Sequence, residues 1–392
     1  MENRLPFERV LVAHPERQHS HQLAAALAEA GLLREYTSGY TLEPALKGLI
    51  GDDHHNFLPY FRAARYISNA ICGRRTDRQN WYRINWLFDL FVCSRLRRVR
   101  PAAVIAYENC AAHTFLAAKR LGITTILDAA SVHHSMQDHW TSFSENPEFH
   151  KRVTRRKDRE IELADHIFVC SNLARESYIS AGVNPSKIMV ASLGVDVRRF
   201  APRVIQPPPN GCLRFVFVGR LNRIKGADVM AAACQRLKDQ GIPFELTIVA
   251  SLNDAERDIL ENLRPIARLV GRISNDKISE VYCNADCLLV PSRFDSFGLV
   301  VPEAMACGLP VIASNNVGAR DLIECGQSGW IVNAGDVDSL FQSMSFCATN
   351  PTAVRSMSQS ALRNAQQFDW PKYRQRISAC VQKIVCHQLP PQ

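Results

Sequence analysis

Residues 291–308 read Pro291-Ser292-Arg293-Phe294-Asp295-Ser296-Phe297-Gly298-Leu299-Val300-Val301-Pro302-Glu303-Ala304-Met305-Ala306-Cys307-Gly308. The apolar run 287–290 before them has the pattern of a strand buried on both faces of a parallel sheet. After the loop, 299–307 reads as a short apolar helix stopped by Gly308. Pro302 is tolerable there, because the first turn of a helix holds backbone N–H groups that lack helical partners. The amides of Phe297, Gly298, Leu299 and Val300 are therefore placed to hold a phosphate or a sugar hydroxyl. Glu303 follows a turn later and can accept two hydrogen bonds from a ribose diol, the task an acidic residue performs in dinucleotide sites. Asp295 stands at the loop mouth, where a sugar hydroxyl would lie. Both carboxylates could instead be surface charges, although an apolar helix seldom carries Glu without a partner.

The same strand–loop–helix unit recurs on either side. In the second half, strands are expected at 214–218, 245–249, 268–270 and 310–313, with helices over 226–240 and 276–284. The first half repeats the pattern with strands at 9–13, 104–107, 124–127, 166–170 and 187–191 and helices over 22–30 and 111–121. Such alternation implies parallel sheets covered on both faces. Residues 201–212 hold Pro202 and the run Pro207-Pro208-Pro209-Asn210-Gly211, which is neither helix nor strand. At 392 residues the chain is past the size at which one core stops growing. The expectation is an α/β protein of two doubly wound, Rossmann-like domains, 1–200 and 213–370, joined by the linker 201–212. A ligand cleft then lies between them at the carboxyl ends of the strands. A last helix within 371–392 is expected to cross back to the first domain.

A second patch, Val218-Gly219-Arg220-Leu221-Asn222-Arg223-Ile224-Lys225-Gly226, ends a strand on a tight turn at Gly219. Arg220 and Lys225 project from the loop before a helix, and two cations at a helix N-terminus form a diphosphate clamp. A solvated basic loop is the competing reading. Asp336-Val337-Asp338 has the spacing of a metal-binding Asp-x-Asp pair, but it follows Gly335 and opens a helical run, so a helix N-cap is the better reading. With Arg220 and Lys225 available, neither a divalent cation nor another cofactor is expected. The thirteen cysteines contain no Cys-x-x-Cys pair and no zinc-type spacing, and Cys283 and Cys287 read as core residues.

Taken together, these patches resemble the C-terminal domain of the family 4 glycosyltransferases, which have the GT-B fold. That family carries a G-R-L-x-x-x-K-G loop, matched here by Gly219-Arg220-Leu221 and Lys225-Gly226. It also carries two glutamates seven residues apart before A-M-A-x-G-x-P-V-I; the second is Glu303, and the first is Asp295, one methylene shorter. Gly194-Val195-Asp196 and Phe200 resemble the family's G-V-D-x-x-x-F signature, with Leu193 in place of asparagine. Gly271-Arg272-Ile273 resembles the turn whose backbone meets the nucleotide base, and Gly326-Gln327-Ser328-Gly329 a later glycine turn. The likeness covers residues 190–345.

The resemblance implies a metal-independent, retaining hexosyltransferase acting on a nucleoside-diphosphate sugar. The acceptor would be a glycan or lipid-linked sugar in cell-surface polysaccharide synthesis, bound on the side of the first domain. It assigns a donor-side histidine to the loop after the strand 124–127, which is His133 by position, with His134 as its rival. His14, Glu16, Arg17 and His19 follow the first strand, where acceptor and phosphate contacts are expected. A nucleotide-sugar epimerase or hydrolase on the same fold is a competing reading, as is a binding protein weakened in catalysis by Asp295.

The net charge is +9, of which residues 1–205 carry +7, so a negatively charged partner is expected on that side. The aromatic, Arg-rich stretch 81–100 and the six cations Lys151, Arg152, Arg155, Arg156, Lys157 and Arg159 suit an anionic membrane surface. A core helix with a solvated basic end is the reading slightly favoured over it. Nucleic acid has only charge in its favour and is not expected. Residues 1–6 lack a signal-peptide apolar stretch and no run approaches the roughly 20 apolar residues of a membrane span, so the expected location is the cytoplasm or the inner membrane face.

Overall fold

The computed structural model of the protein describes residues 10–16, 18–140, 146–202 and 211–386. The first sheet holds β1 (Val10–His14), β2 (Leu33–Ser38), β3 (His55–Phe57), β4 (Ala103–Tyr107), β5 (Thr124–Ala129), β6 (His166–Val169) and β7 (Ile188–Val190), in the order β3-β2-β1-β4-β5-β6-β7. The second holds β8 (Leu213–Val218), β9 (Phe244–Val249), β10 (Arg268–Val270), β11 (Cys287–Val290), β12 (Val311–Ser314) and β13 (Gly329–Val332), in the order β10-β9-β8-β11-β12-β13. All named pairings are parallel, and β1, β4, β5 and β11 are buried along their whole length. The strand order reverses between β1 and β4 and between β8 and β11. Open parallel sheets bind ligands outside such reversal points.

Elements beyond the sequence reading include β2, β3, β13 and two long helices, Pro59–Val99, for which the sequence offered only a core helix within 81–100, and Pro147–Leu163. The first of these helices buries Phe88, Val92 and Leu96, one residue per turn, against the first sheet. Across it, Arg95 Nε donates to Glu35 Oε1 of β2 at 3.1 Å, which lets a strand carry a buried carboxylate. The basic segment 151–159 divides in a way the sequence did not anticipate. Arg156 is buried, 3.2 Å from Asp89 and 3.4 Å from Glu160, and so belongs to the core instead of a basic surface. Lys157 turns to Glu108 at 3.4 Å, while Lys151, Arg152, Arg155 and Arg159 are exposed. Among the described residues no helix is long and apolar enough to cross a membrane.

The segment following β7 passes close to the end of the chain. Val195 N–H donates to the Phe368 carbonyl at 2.8 Å and bridges Asp369. A Cβ on Gly194 would lie 2.7 Å from the Trp370 ring, so only glycine lets the two segments approach this closely. Helix Trp370–Cys386 then packs on helix Ser20–Glu29, with Arg374 bonded to Glu29 and Gln22, each at 2.8 Å. Across the cleft, Ser171 Oγ donates to the Ser296 carbonyl at 2.9 Å and Val132 N–H to Ser296 Oγ at 3.3 Å.

Candidate active site

Two loops of the second sheet, those after β8 and β11, are built as one piece. Gly226 adopts φ +67°, and a Cβ there would sit 1.9 Å from the Pro291 carbonyl oxygen. Arg293 strengthens the join through two bonds to Asp228, at 2.6 and 2.8 Å, and one to the Arg223 carbonyl at 2.7 Å. With the loops so fixed, Lys225 Nζ meets Asp295 Oδ2 at 2.6 Å. Val301 N–H returns to the Gly298 carbonyl at the start of helix Val300–Ala306, Phe297 is buried, and Leu299 is exposed.

Beside these loops, at the carboxyl ends of β8 and β9, lies a cavity of about 320 Å³. Gly219, Arg220, Arg272 and Glu303 line it together, along with Ser251 and Arg199. The sequence reading named the first four. Lys225, Asp295, Phe297, Gly298, Leu299 and Val300 are not part of that lining and form the neighbouring loop and helix start. Arg199 was missed as a site residue, although it falls inside the G-V-D-x-x-x-F segment that was noticed.

Glu303 is largely buried, and burial raises its pKa to about 7, opposed by the Tyr282 hydrogen bond and the charge of Arg199. Tyr282 Oη donates to Glu303 Oε2 at 3.0 Å. A carboxylate held this way can accept from a diol on its second oxygen.

On the first sheet, His133 follows β5. Its backbone N–H donates to Ser177 Oγ and its Nδ1 lies 2.8 Å from Ser135 Oγ. Burial, then the nearby His134 and Lys157, lower its pKa to about 4, so the ring is neutral at pH 7. The contact between Val132 and Ser296 brings this loop against the loop that carries Asp295. His134 Nε2 is 3.0 Å from Asp158 Oδ1. Among the described residues, His133, His134 and Asp158 are the set whose ligand atoms lie close enough to share a metal ion. The two imidazole rings lie 4.0 Å apart at an interplanar angle of 35°.

His14 ends β1 and is 1% exposed. Burial and then the charges of His19 and His21 hold its pKa well below the usual range, so it is neutral. Its Nδ1 accepts from Glu16 N–H at 3.0 Å, leaving Nε2 as the protonated nitrogen, and its ring packs on Tyr107 at 4.0 Å. His19 instead pairs with Asp128 at 2.9 Å. Arg17 lies outside the described residues. Asp336 caps helix Val337–Thr349, accepting from the Asp338 and Ser339 N–H groups at 2.9 and 3.1 Å. Cys283 and Cys287 are buried, and neither forms a disulfide.

Residues 212–350 match the family model described as glycosyl transferases group 1. The putative colanic acid biosynthesis glycosyltransferase WcaL of Salmonella typhimurium is 29% identical over 217 residues, which is 52% of this chain and 53% of that protein. The chain thus spans about half the length of the curated relatives it matches. Among solved structures, sucrose-phosphate synthase from Thermosynechococcus elongatus aligns over 97% of this chain and 100% of its own, with a TM-score of 0.72 and 18% identity. HepE of Anabaena, solved with UDP-glucose, aligns over 96% of this chain and 99% of its own, with a TM-score of 0.64 and 16% identity. These likenesses establish the two-sheet fold as GT-B.

Proposed function

We propose that this chain, whose residues 212–350 match the family model described as glycosyl transferases group 1, is a retaining glycosyltransferase that moves a hexose from a nucleoside-diphosphate sugar to a hydroxyl acceptor. The observation that carries this reading is the single cavity lined by Gly219, Arg220, Arg272 and Glu303. The base lies against the backbone at Arg272, the ribose diol is accepted by Glu303, and the diphosphate reaches Arg220 and Lys225. Asp295, bonded to Lys225, accepts from a hydroxyl of the transferred sugar. The UDP-glucose bound by the structural neighbour HepE supports a donor of this class.

The reaction breaks the bond between the anomeric carbon and the diphosphate while the acceptor oxygen forms a new bond to the same carbon. Negative charge grows on the departing diphosphate, and cations already in position stabilise that state more than the bound substrate. Arg220 and Lys225 fill this role, so the reaction needs no metal. Attack from the leaving-group face retains configuration, and the acceptor proton passes to a donor phosphate oxygen. His133, neutral and facing the loop of Asp295 across the cleft, binds the donor sugar or the acceptor. His14 and His134 lie on the acceptor side.

The acceptor is a glycan or lipid-linked sugar in cell-surface polysaccharide synthesis, in keeping with the colanic acid biosynthesis for which WcaL is named. Exposed Trp86, Arg97, Arg98 and Arg100 support peripheral contact with an anionic membrane from the cytoplasmic side. Co-sedimentation with vesicles, with and without anionic lipid, tests that contact. For the donor, a thermal-shift panel of UDP-, GDP-, ADP- and dTDP-sugars is decisive, run with and without EDTA. One sugar nucleotide raising the melting temperature in both conditions is expected. No response to any of them overturns the reading, and a response abolished by EDTA overturns metal independence.

A further inference from the structure

The loop that carries Asp295 is held from both sides of the cleft. Within the second sheet, Asp295 N–H donates to the Asn316 carbonyl and Gly318 N–H to the Asp295 carbonyl, each at 3.0 Å, so Asp295 pairs with Val317 as a short parallel bridge. The next carbonyl along, that of Ser296, is taken up by the first sheet instead. Ser171 Oγ donates to it at 2.9 Å, and the Cys170 thiol lies 3.3 Å from the same oxygen. Because that thiol is a weak donor and also lies 3.4 Å from the Ala130 carbonyl, the hydroxyl carries the contact. A Cβ on Gly318 would lie 2.0 Å from the Ser296 carbonyl oxygen and 2.6 Å from Ser171 Oγ, so the three residues meet with no room for a side chain between them.

Ser171 is itself fixed before it meets the loop. It follows β6, is fully buried, and caps helix Asn172–Ser180 by accepting from Ala174 N–H at 3.1 Å. A hydroxyl has one proton to give and two lone pairs to accept with. The cap occupies a lone pair, which leaves the proton for Ser296. The first sheet reaches the same residue a second time, where Val132 N–H donates to Ser296 Oγ at 3.3 Å. Two outer contacts, Asn172 Nδ2 to Asp321 Oδ2 and Arg320 to Glu176, each at 3.0 Å, flank the buried one. The Arg320 pair is open to solvent at Glu176 and contributes little.

We propose that Ser171 is a positioning residue for the transferred sugar: its hydroxyl, supplied from the side of the first sheet, fixes the peptide after Asp295 and so the place of the Asp295 carboxylate. This rests on the sugar contact assigned to Asp295 above and deepens it. Asp295 is then held at its tip by Lys225, at 2.6 Å, and at its backbone by a group from the other side of the cleft. A buried carbonyl that loses its donor keeps the desolvation cost without the bond, so without Ser171 the loop would settle elsewhere. The cavity lined by Arg220, Arg272 and Glu303 includes neither Ser171 nor Ser296. Binding of a nucleoside diphosphate alone should therefore be indifferent to Ser171, whereas binding of the sugar attached to it should not.

The test is calorimetric titration with the sugar nucleotide that the thermal-shift panel selects, and with the same nucleoside diphosphate lacking its sugar. Ser171→Ala should weaken the sugar nucleotide by about three- to tenfold, the worth of one neutral hydrogen bond, and leave the nucleoside diphosphate within about twofold of wild type. Ser171→Gly guards against loss of fold, because glycine is nearly as good a helix N-cap, and it should lose as much as alanine does. In an Asp295→Ala background, Ser171→Ala should cost nothing more, as expected of two residues that act through one contact. Equal weakening of both ligands, no weakening of either, glycine binding like the wild type, or the same loss with and without Asp295 overturns the proposal. Failure of the wild type to bind any sugar nucleotide of the panel would instead overturn the functional reading on which it rests.

Discussion

Lys225 Nζ and Asp295 Oδ2 stand 2.6 Å apart, bringing together on two loops the cation proposed for the diphosphate and the carboxylate proposed for the sugar. Each side chain is partly exposed, so the pair is worth little to stability by itself. Its value lies in geometry: with Gly226 pressed onto Pro291, the two loops that carry the pair are held together.

Removing that ammonium should therefore be costly to turnover and cheap to folding. Lys225→Ala should lose roughly 10²-fold or more in kcat, as removal of an oxyanion donor does, with a melting temperature near that of the wild type. Initial rates of nucleoside diphosphate release from the donor that the panel selects provide the check. Wild-type turnover in the variant would remove Lys225 from the chemistry.

Gly226→Ala tests the joint between the two loops. An alanine in left-handed backbone costs on the order of 1–3 kcal/mol, and here its Cβ would also have to displace the Pro291 carbonyl oxygen from 1.9 Å. Both a lower melting temperature and lost activity are expected. A variant that melts like the wild type would mean that the loops are not held together in this way.

Glu160 gives stability a pH dependence of definite sign. It is fully buried, burial raises its pKa to about 7, and the Arg156 charge and backbone bonds from Ala111 and Asn109 oppose the rise. An acid whose folded pKa lies above its ordinary value holds its proton more tightly when folded. Its contribution is fullest below the ordinary carboxylate pKa and is lost as pH climbs to about 7, by up to about 1.4 kcal/mol per pH unit for one group. Urea titrations at pH 5, 6 and 7 should show Glu160→Gln with a shallower decline than the wild type. Parallel declines would show that Glu160 is already ionised at pH 5.

His133 is held neutral by burial, with a pKa of about 4. Its replacement by alanine should lower transfer by raising KM for donor or acceptor, and the wild-type pH–rate profile should show no inflection near 6.5 from this residue. Replacement by glutamine, which keeps a donor and an acceptor but cannot shuttle a proton, separates hydrogen bonding from proton transfer. Activity equal to wild type in both variants would exclude His133 from the site.

The second sheet was legible because its chemistry is local. Buried strands such as β11 are continuous apolar runs, and Arg220 and Arg272 fall just after strand ends beside Gly219 and Gly271, which carry their own signal. β2 was not legible, because Leu33–Ser38 includes Arg34 and Glu35, and the partner that makes a buried Glu35 acceptable is Arg95, sixty residues away. Arg156 misled for the same reason in reverse: five neighbouring cations advertise a surface, while Asp89 and Glu160 draw this one inward. Arg199 sat in plain view within a recognised segment, but its reach into the cavity depends on the turn made by Asp196 and on Phe200 finding Tyr282. No single-segment pattern contains that information.

Because helix Trp370–Cys386 packs on helix Ser20–Glu29, the body around the first sheet is discontinuous in sequence, made of an opening stretch and a closing one. The second sheet is in effect an insert between them. Without the helix from Trp370, Leu23 and Leu27 would lose the cover of Tyr373, Ile377 and Val381, so removing it would damage the packing of helix Ser20–Glu29 first. Dissection of this protein therefore calls for circular permutation, joining the tail to the opening strand, instead of a cut at the linker.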